Sequence, residues 1–318
     1  MKTVYLAAFM VMAVLMLIIP LTADADINEA KANPQSQQVM TPTDKVEKTE
    51  IRVKLTASGD IVAYSAEDYI FGVVAAEMPA LYEEEALKAQ AVAAYTYYLK
   101  KSTSKTESYD ITDDYTVDQA FITPEKAKEK WGSDAEKFEK KLRDCVKAVI
   151  YKKVTYQGEP ASTVYHAISS GKTEKAADIW GGDYPYLVSV DSSFDKLSAN
   201  YLSEAKFTTD ELKNKLKNFV TVTEATGNGI SDIKRTESGS VTSLTVWGKS
   251  ISGIDFRKAL ELRSADFDVE YRDGAYFFTV RGYGHGIGMS QNGANYLAQQ
   301  GKSFEEILLH YYPGCVVQ

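Results

Sequence analysis

Three segments carry side chains able to do chemistry. In FGVVAAEMPALYEEEALKAQAVAAYTYYL, residues 71–99, Glu83, Glu84 and Glu85 stand together as a solvated face would, while Glu77 stands alone between small or apolar residues and Met-Pro. Val, Ala and Met desolvate a carboxyl group, and the carbonyl end of a helix disfavours its charge, so both raise its pKa. A carboxylic acid held partly protonated near neutral pH is what general-acid cleavage of a glycosidic bond requires. The same spacing fits a glutamate turned to solvent or bonded to the following loop, and it leaves both readings open.

The second segment, STVYHAISSGKTEKAADIW at 162–180, offers His166, Ser169, Ser170, Thr173 and Glu174 around Gly171, on a strand running into a turn. A Ser-His pair suggests a hydrolase, but no G-x-S-x-G elbow is present. The hydroxyls and Tyr165 could instead line a sugar-binding wall, or form an ordinary polar turn. The third, RGYGHGIGMSQNGANYLAQQGKSFEEILLHYYPG at 281–314, has glycines at 282, 284, 286 and 288 that permit close backbone approach. Ile287, Met289 and Gln291 break any G-x-G-x-x-G dinucleotide pattern. His285 could donate to a ligand or tie the loop to the core. His310, on an apolar final helix, reads as a satisfied core histidine.

These residues need elements to hold them. IRVKLTASGDIVAYSA alternates as a strand pair with a Ser-Gly-Asp turn. Asp68 can cap a short helix through about Ala76, which Pro79 ends by disfavouring helical backbone at Met78. A second helix runs from about Glu83, with Leu87, Ala91, Ala94, Tyr98 and Leu99 along one side. Residues 124–150 read as two helices broken at Gly132, and Phe138, Leu142, Cys145 and Val149 make a buried stripe. Strands follow at VTYQGEPASTVYHAIS, YPYLVSVDS, VTVTEA and through 230–280, interrupted by a helix over 208–219. Two short C-terminal helices close the chain, the last with a Ser303/Glu306 capping box. The pattern is α+β: mostly antiparallel strands with packed helices, expected as two lobes forming a curved cleft.

The net charge of −8 excludes a nucleic-acid binder, which needs a basic stripe. Residues 4–22 are uncharged, follow Lys2 and precede an acidic stretch, and at about 20 residues such a run can cross a bilayer. The expected organisation is therefore an anchor at 1–22, a flexible linker at 23–50 and an extracytoplasmic domain at 51–318. A signal peptide cleaved near Ala25 is the alternative. Two cysteines, Cys145 and Cys315, make no disulfide framework, and no CxxC or HExxH spacing argues for a metal.

AAEMPALYEEEALKAQAVAA, YHAISSGKTEKAADIWGGDYPYLVSV, LELRSADFDV and the 282–314 run, in this order, resemble the stage II sporulation protein D family from about Ile51 to the C-terminus. The resemblance implies a lytic transglycosylase that cuts the MurNAc–GlcNAc bond of peptidoglycan and leaves a 1,6-anhydro sugar, with Glu77 matching the catalytic glutamate. It implies peptide-stripped glycan strands as substrate and no cofactor. Its partners would be the stage II sporulation proteins P, an amidase, and M, at the membrane of the sporulation septum during engulfment. Substrate-binding residues are expected at Tyr95, Tyr165, His166, Ser170, Thr173, Tyr186, His285 and Gln291. Two departures stand out. Tyr95 occupies the position where many relatives have an arginine, and His166 lacks the cysteine neighbours that hold zinc in some relatives, so no zinc is expected. The rival readings are a non-catalytic amidase enhancer that binds cell wall, and a metal or serine hydrolase built on His166 and His285.

Overall fold

The computed structural model describes residues 50–102, 108–220 and 228–318. The expected anchor and nearly all of the linker lie outside the described residues. Among those residues no helix is long and apolar enough to cross a membrane.

Strands β1 (Glu50–Lys54) and β2 (Ile61–Ser65) pair antiparallel, and Ile51 and Val53 on alternate positions of β1 are buried. Helix α1 (Ala66–Glu77) follows directly, and its N-cap is Ser65 rather than Asp68. The Ser65 hydroxyl accepts the Asp68 N–H at 3.1 Å and donates to the Asp68 carboxylate at 2.8 Å, so Asp68 supports the cap from inside the first turn. Pro79 ends the helix as expected: Met78 is extended, at φ −122° and ψ 146°.

Helix α2 (Glu84–Ser102) is buried on most sides through Ala86, Leu87, Ala89, Val92, Ala93 and Ala94, as suits a central helix rather than a surface one. Strand β3 (Ile111–Thr112) runs parallel to β1. Helices α3 (Pro124–Trp131) and α4 (Ala135–Val149) are separated by Gly132, and Leu142, Cys145 and Val149 of α4 face the core.

Then come β4 (Val154–Tyr156), β5 (Glu159–Pro160), β6 (Tyr165–His166) and the one-turn α5 (Ala176–Ile179). The strand expected over YPYLVSVDS does not form; only a single bridge joins Lys172 to Asp191 there. Pro185 lacks a ladder donor, and the Thr173 hydroxyl takes the Val188 carbonyl and the Val190 N–H.

A second apolar core gathers β7 (Leu202–Thr208), α6 (Thr209–Leu216), β8 (Ile230–Arg235), β9 (Val241–Val246), β10 (Lys249–Ser252), α7 (Gly253–Leu260), β11 (Phe267–Arg272) and β12 (Ala275–Arg281). Its antiparallel sheets run β10-β9-β8 and β11-β12-β7, and Phe256, Phe267, Phe278 and Tyr276 fill the space they enclose. All of VTVTEA after Val220 lies outside the described residues, which omit 221–227. Helix α7 interrupts 230–280, a region expected to be β-rich. Its signals are a Ser252 N-cap and an i, i+4 pair, Phe256 and Leu260, both buried.

The chain returns to the first core with β13 (Met289–Ser290), α8 (Gln291–Gln299), α9 (Phe304–Tyr311) and β14 (Val316–Val317), which pairs with β4. The Ser303/Glu306 capping box forms on α9. The fold is α+β, with small, mainly antiparallel sheets.

Candidate active site

Glu77 is the last residue of α1 and is partly buried. Three chain segments converge on it. Gly72, one turn back on α1, is why the first can come so close: a Cβ there would meet the Ile122 carbonyl and the Phe121 ring at 2.4 Å each. The Ile122 N–H donates to the Gly72 carbonyl at 3.3 Å, so the loop lies flat against the helix. That contact sets the Ala120 N–H 2.9 Å from Glu77 Oε1.

The second segment is α8. Its Ser290 N-cap accepts the Gly293 N–H at 3.1 Å, and Asn292 is pinned by its side chain to buried Asp195 at 2.9 Å and by its N–H to the Ala167 carbonyl at 3.0 Å. Gln291, 5% exposed between them, donates from Nε2 to Glu77 Oε2 at 3.2 Å, with Gln90 Oε1 of α2 at 3.4 Å. The third is α3, whose Lys130 Nζ caps the Ala75 carbonyl at 2.9 Å.

Desolvation holds the Glu77 carboxyl above its ordinary range; the bonds from Ala120 and Gln291 and the attraction of Lys130 offset this only in part. Its oxygens thus have fixed, neutral donors, while the proton stays bound to higher pH than on a solvated glutamate. This is the environment of a general acid.

Tyr165 adjoins the same corner. Strand β6 runs parallel to β13, with Tyr165 opposite Met289 and His166 opposite Ser290, one residue before Gln291. The Tyr165 hydroxyl donates to Gln119 Oε1 at 2.8 Å, and Gln119 Nε2 donates to the Tyr69 hydroxyl at 2.8 Å. The negative charge of Glu77 adds to burial in raising the Tyr165 phenol.

The histidines do something else. His166, 4% exposed, has Nδ1 3.1 Å from the Ile287 carbonyl, which can only accept, so that nitrogen carries the proton and Nε2 is a bare acceptor. His285 Nδ1 accepts the Ile287 N–H at 3.1 Å, and the ring also bonds the Tyr165 carbonyl. One residue, Ile287, is therefore gripped by both rings, and burial holds both imidazoles below their ordinary pKa. His285 ties the loop to the core. The glycine loop lies on the protein's own β6 segment; at Gly288, φ is +69° and a Cβ would fall 2.1 Å from the Val164 carbonyl.

The remaining expected binding residues are not gathered at Glu77. Thr173 is fully buried as a brace of its own loop, and the Tyr186 hydroxyl accepts the Ser162 N–H at 2.8 Å. The Ser170 hydroxyl donates to the Ser238 carbonyl at 3.2 Å, the Ser169 hydroxyl accepts the Gly171 N–H at 3.1 Å, and Glu174, 1% exposed, accepts the Ser240 N–H at 3.2 Å. Tyr95, 8% exposed, packs its ring on Tyr98 and Tyr151. His310 is partly exposed rather than core, and its Nε2 holds the Asp191 carbonyl at 2.8 Å.

Sequence reading missed Gln119, the Ala120 N–H, Gln90 and Lys130. Gln119 and Ala120 lie in no periodic or motif-like run, while Gln90 within AAEMPALYEEEALKAQAVAA and Lys130 within the helix read over 124–150 sit at positions that spacing does not single out. Among the described residues no group of three or more His, Cys, Asp or Glu side chains could hold a metal ion.

Comparison with known proteins agrees with the motifs. Residues 56–156 match the family described as Stage II sporulation protein. The chain is 37% identical over 277 residues to stage II sporulation protein D of Bacillus amyloliquefaciens, covering 86% of this chain and 80% of that protein. It is 33% identical over 322 residues to stage II sporulation protein D of Bacillus subtilis (strain 168), covering 97% and 92%. A more distant relative is the amidase enhancer of the same organism, 26% identical over 299 residues, 76% of this chain but 39% of that protein. At this identity over most of both chains, the chain belongs to the stage II sporulation protein D family.

Proposed function

We propose that the protein is a lytic transglycosylase of peptide-stripped peptidoglycan strands, with Glu77 as its single acid–base group. The observation that carries the reading is the Glu77 carboxyl itself, desolvated at a helix end and held by two neutral donors, Ala120 N–H and Gln291 Nε2. In the first step the carboxylic acid gives its proton to the glycosidic oxygen, and the C1–O4 bond breaks to leave GlcNAc with a free 4-hydroxyl and an oxocarbenium-like MurNAc. The carboxylate then takes the proton of the MurNAc 6-hydroxyl as O6 attacks C1 and closes the anhydro ring. Glu77 ends protonated, as it began, and no water is consumed. Because the nucleophile belongs to the substrate, no second carboxylate is needed to activate water or attack the sugar.

Family membership supports a place in stage II of sporulation. In this reading the enzyme works at the septal membrane, held by residues 1–22, on strands prepared by the amidase, stage II sporulation protein P, and together with protein M. The likeness to an amidase enhancer favours one alternative, a wall-binding protein that does not cut.

The deciding experiment incubates the protein and its Glu77→Gln variant with stripped strands and reads the products by mass spectrometry. Anhydro-MurNAc ends from the unsubstituted protein alone are expected. Binding or amidase stimulation without cleavage by either protein would replace the enzyme with the enhancer.

A further inference from the structure

An acid–base group is a carboxylic acid at one moment and a carboxylate at the next, so its surroundings must hold both. A carboxylate only accepts hydrogen bonds, whereas the acid also has one O–H to donate. The donors at Glu77 suit the carboxylate: the Ala120 N–H, fixed in the backbone, on Oε1 at 2.9 Å, and Gln291 Nε2 on Oε2 at 3.2 Å. The fixed Ala120 donor favours Oε1 as the carbonyl oxygen of the acid, which places the proton on Oε2. There it would meet Gln291 Nε2 donor against donor.

A primary amide turned end for end presents an acceptor instead. Nothing in the bonding of Gln291 opposes that turn. Both of its side-chain hydrogen bonds run through Nε2, the second to Gln90 Oε1 at 3.4 Å. Gln90, on α2, is fully buried, and its Nε2 has no partner among the described residues. Buried donors left in that state are rare in folded proteins. Gln119, buried nearby, differs: its Oε1 takes the Tyr165 hydroxyl and its Nε2 reaches the Tyr69 hydroxyl, each at 2.8 Å. Gln119 is locked at both ends, while the Gln90 amide is oriented by Gln291 alone.

We propose that Gln90 is a positioning residue: with Gln291 it forms a pair of amides that reverse together when Glu77 takes up a proton. In the ionised state Gln291 Nε2 donates to Glu77 Oε2 and to Gln90 Oε1. In the protonated state the Glu77 O–H donates to Gln291 Oε1, which also accepts from Gln90 Nε2, the donor left unpaired before. When the proton passes to a ligand, the pair turns back and Gln291 Nε2 holds the carboxylate again. The O–H bond of Glu77 is the covalent bond made and broken. Among the described residues, the titratable groups facing the carboxyl from neighbouring elements are Lys130 of α3, which bonds the Ala75 carbonyl, and Tyr165 of β6, which bonds Gln119. The inference rests on Glu77 as the acid–base group and adds how its two forms are accommodated.

The test follows the full chain by NMR across pH, with isotope labels in the glutamine side-chain amides and the glutamate carboxyl groups, assigned through their NOEs. The Gln90 and Gln291 amides are expected to shift with the Glu77 carboxyl through one midpoint, and both to lose that titration in Glu77→Gln. A reversal, unlike a field effect, also strengthens the NOEs from the Gln90 amide protons to the Gln291 side chain as the pH falls. In Gln90→Met, kcat for strand cleavage should fall about threefold to tenfold, the net worth of one hydrogen bond. KM should be unchanged, because Gln90 is buried out of reach of a ligand. A Gln90 amide that stays still while Glu77 titrates, or that shifts without the NOE gain, overturns the proposal. Both are read on the unsubstituted chain and stand even where Gln90→Met does not fold. Cleavage is scored in parallel. The shared titration in a protein that cuts nothing upholds the amide pair and sinks the acid–base reading of Glu77, whereas cleavage with a still Gln90 sinks the amide pair alone.

Discussion

The Glu77 corner and the histidine loop share the β6/β13 strand pair, yet they treat their ionisable groups differently. Glu77 receives two hydrogen bonds, one at each oxygen, from donors fixed on separate segments, and stays partly open. His285 has its ring committed to backbone groups at Ile287 and Tyr165, and His166 has Nδ1 committed to the same Ile287. Both regions desolvate a titratable side chain. In the loop the result is a neutral imidazole used as a backbone tie, and at the helix end it is a carboxyl group that can still exchange a proton with a ligand. Burial alone therefore does not mark the reactive group. What separates the two is access: Glu77 stays partly open, whereas the His285 ring is occupied by backbone groups and His166, whose Nε2 has no partner among the described residues, is buried.

The comparison can be broken most directly at Glu77. Glu77→Gln keeps the size of the side chain and its place at the helix end but removes the proton, so strand cleavage should fall by about 10²–10⁴-fold while the circular dichroism spectrum is unchanged. A protein that keeps cutting would move the chemistry elsewhere.

In the loop the large effect should be on folding. Gly288→Ala forces a side chain into positive φ against the Val164 carbonyl, and the expected loss is about 3 kcal/mol, read as a lower midpoint in urea unfolding. An unchanged midpoint would mean that the loop is not the rigid tie described above.

Gln291→Ala sharpens the first region. It removes one of the bonds that stabilise the Glu77 carboxylate, so the carboxyl pKa rises further. The alkaline limb of the pH–rate profile should move to higher pH, and the protein should lose about 1 kcal/mol of stability. A limb that stays in place would exclude Glu77 as the group that titrates in it.

A further expected effect concerns acid stability. Both imidazoles are held below the ordinary value of 6.5 in the folded state, so below that pH the unfolded chain binds more protons than the folded one. Stability is then complete at neutral pH and falls as the pH drops through 6.5, by on the order of 2 kcal/mol for each ring by pH 5. Thermal unfolding across this range should show the fall, and His166→Gln should flatten it. A profile identical to the unsubstituted one would show that His166 is not protonated on unfolding in that window.

Local chemistry was legible from the chain alone. Ser303/Glu306, Pro79 and Gly132 each act within a few residues through backbone geometry or a cap, and each lies where the spacing put it. The isolation of Glu77 among apolar neighbours also foretold the direction of its pKa shift, because desolvation there is largely set by adjacent residues. Helix α7 was lost among strands because its eight residues are too few for periodicity to outweigh a β-rich surrounding. The YPYLVSVDS strand failed because buried Thr173 competes for its backbone groups, and that competition depends on how the loop folds back.

The sequence by itself therefore determined the family, the α+β class, several helix ends and the isolation of Glu77 among apolar neighbours. Tertiary structure alone decided what holds that carboxyl group and what the histidines do. Gln291 lies 214 residues from Glu77, and Ala120 lies 43 residues away. Ile287 is 121 residues from His166. Partners that distant share no period or spacing. They meet because Gly72 lets a loop lie on α1 and because β6 and β13 pair in register, and both are properties of packing between segments rather than of any segment alone.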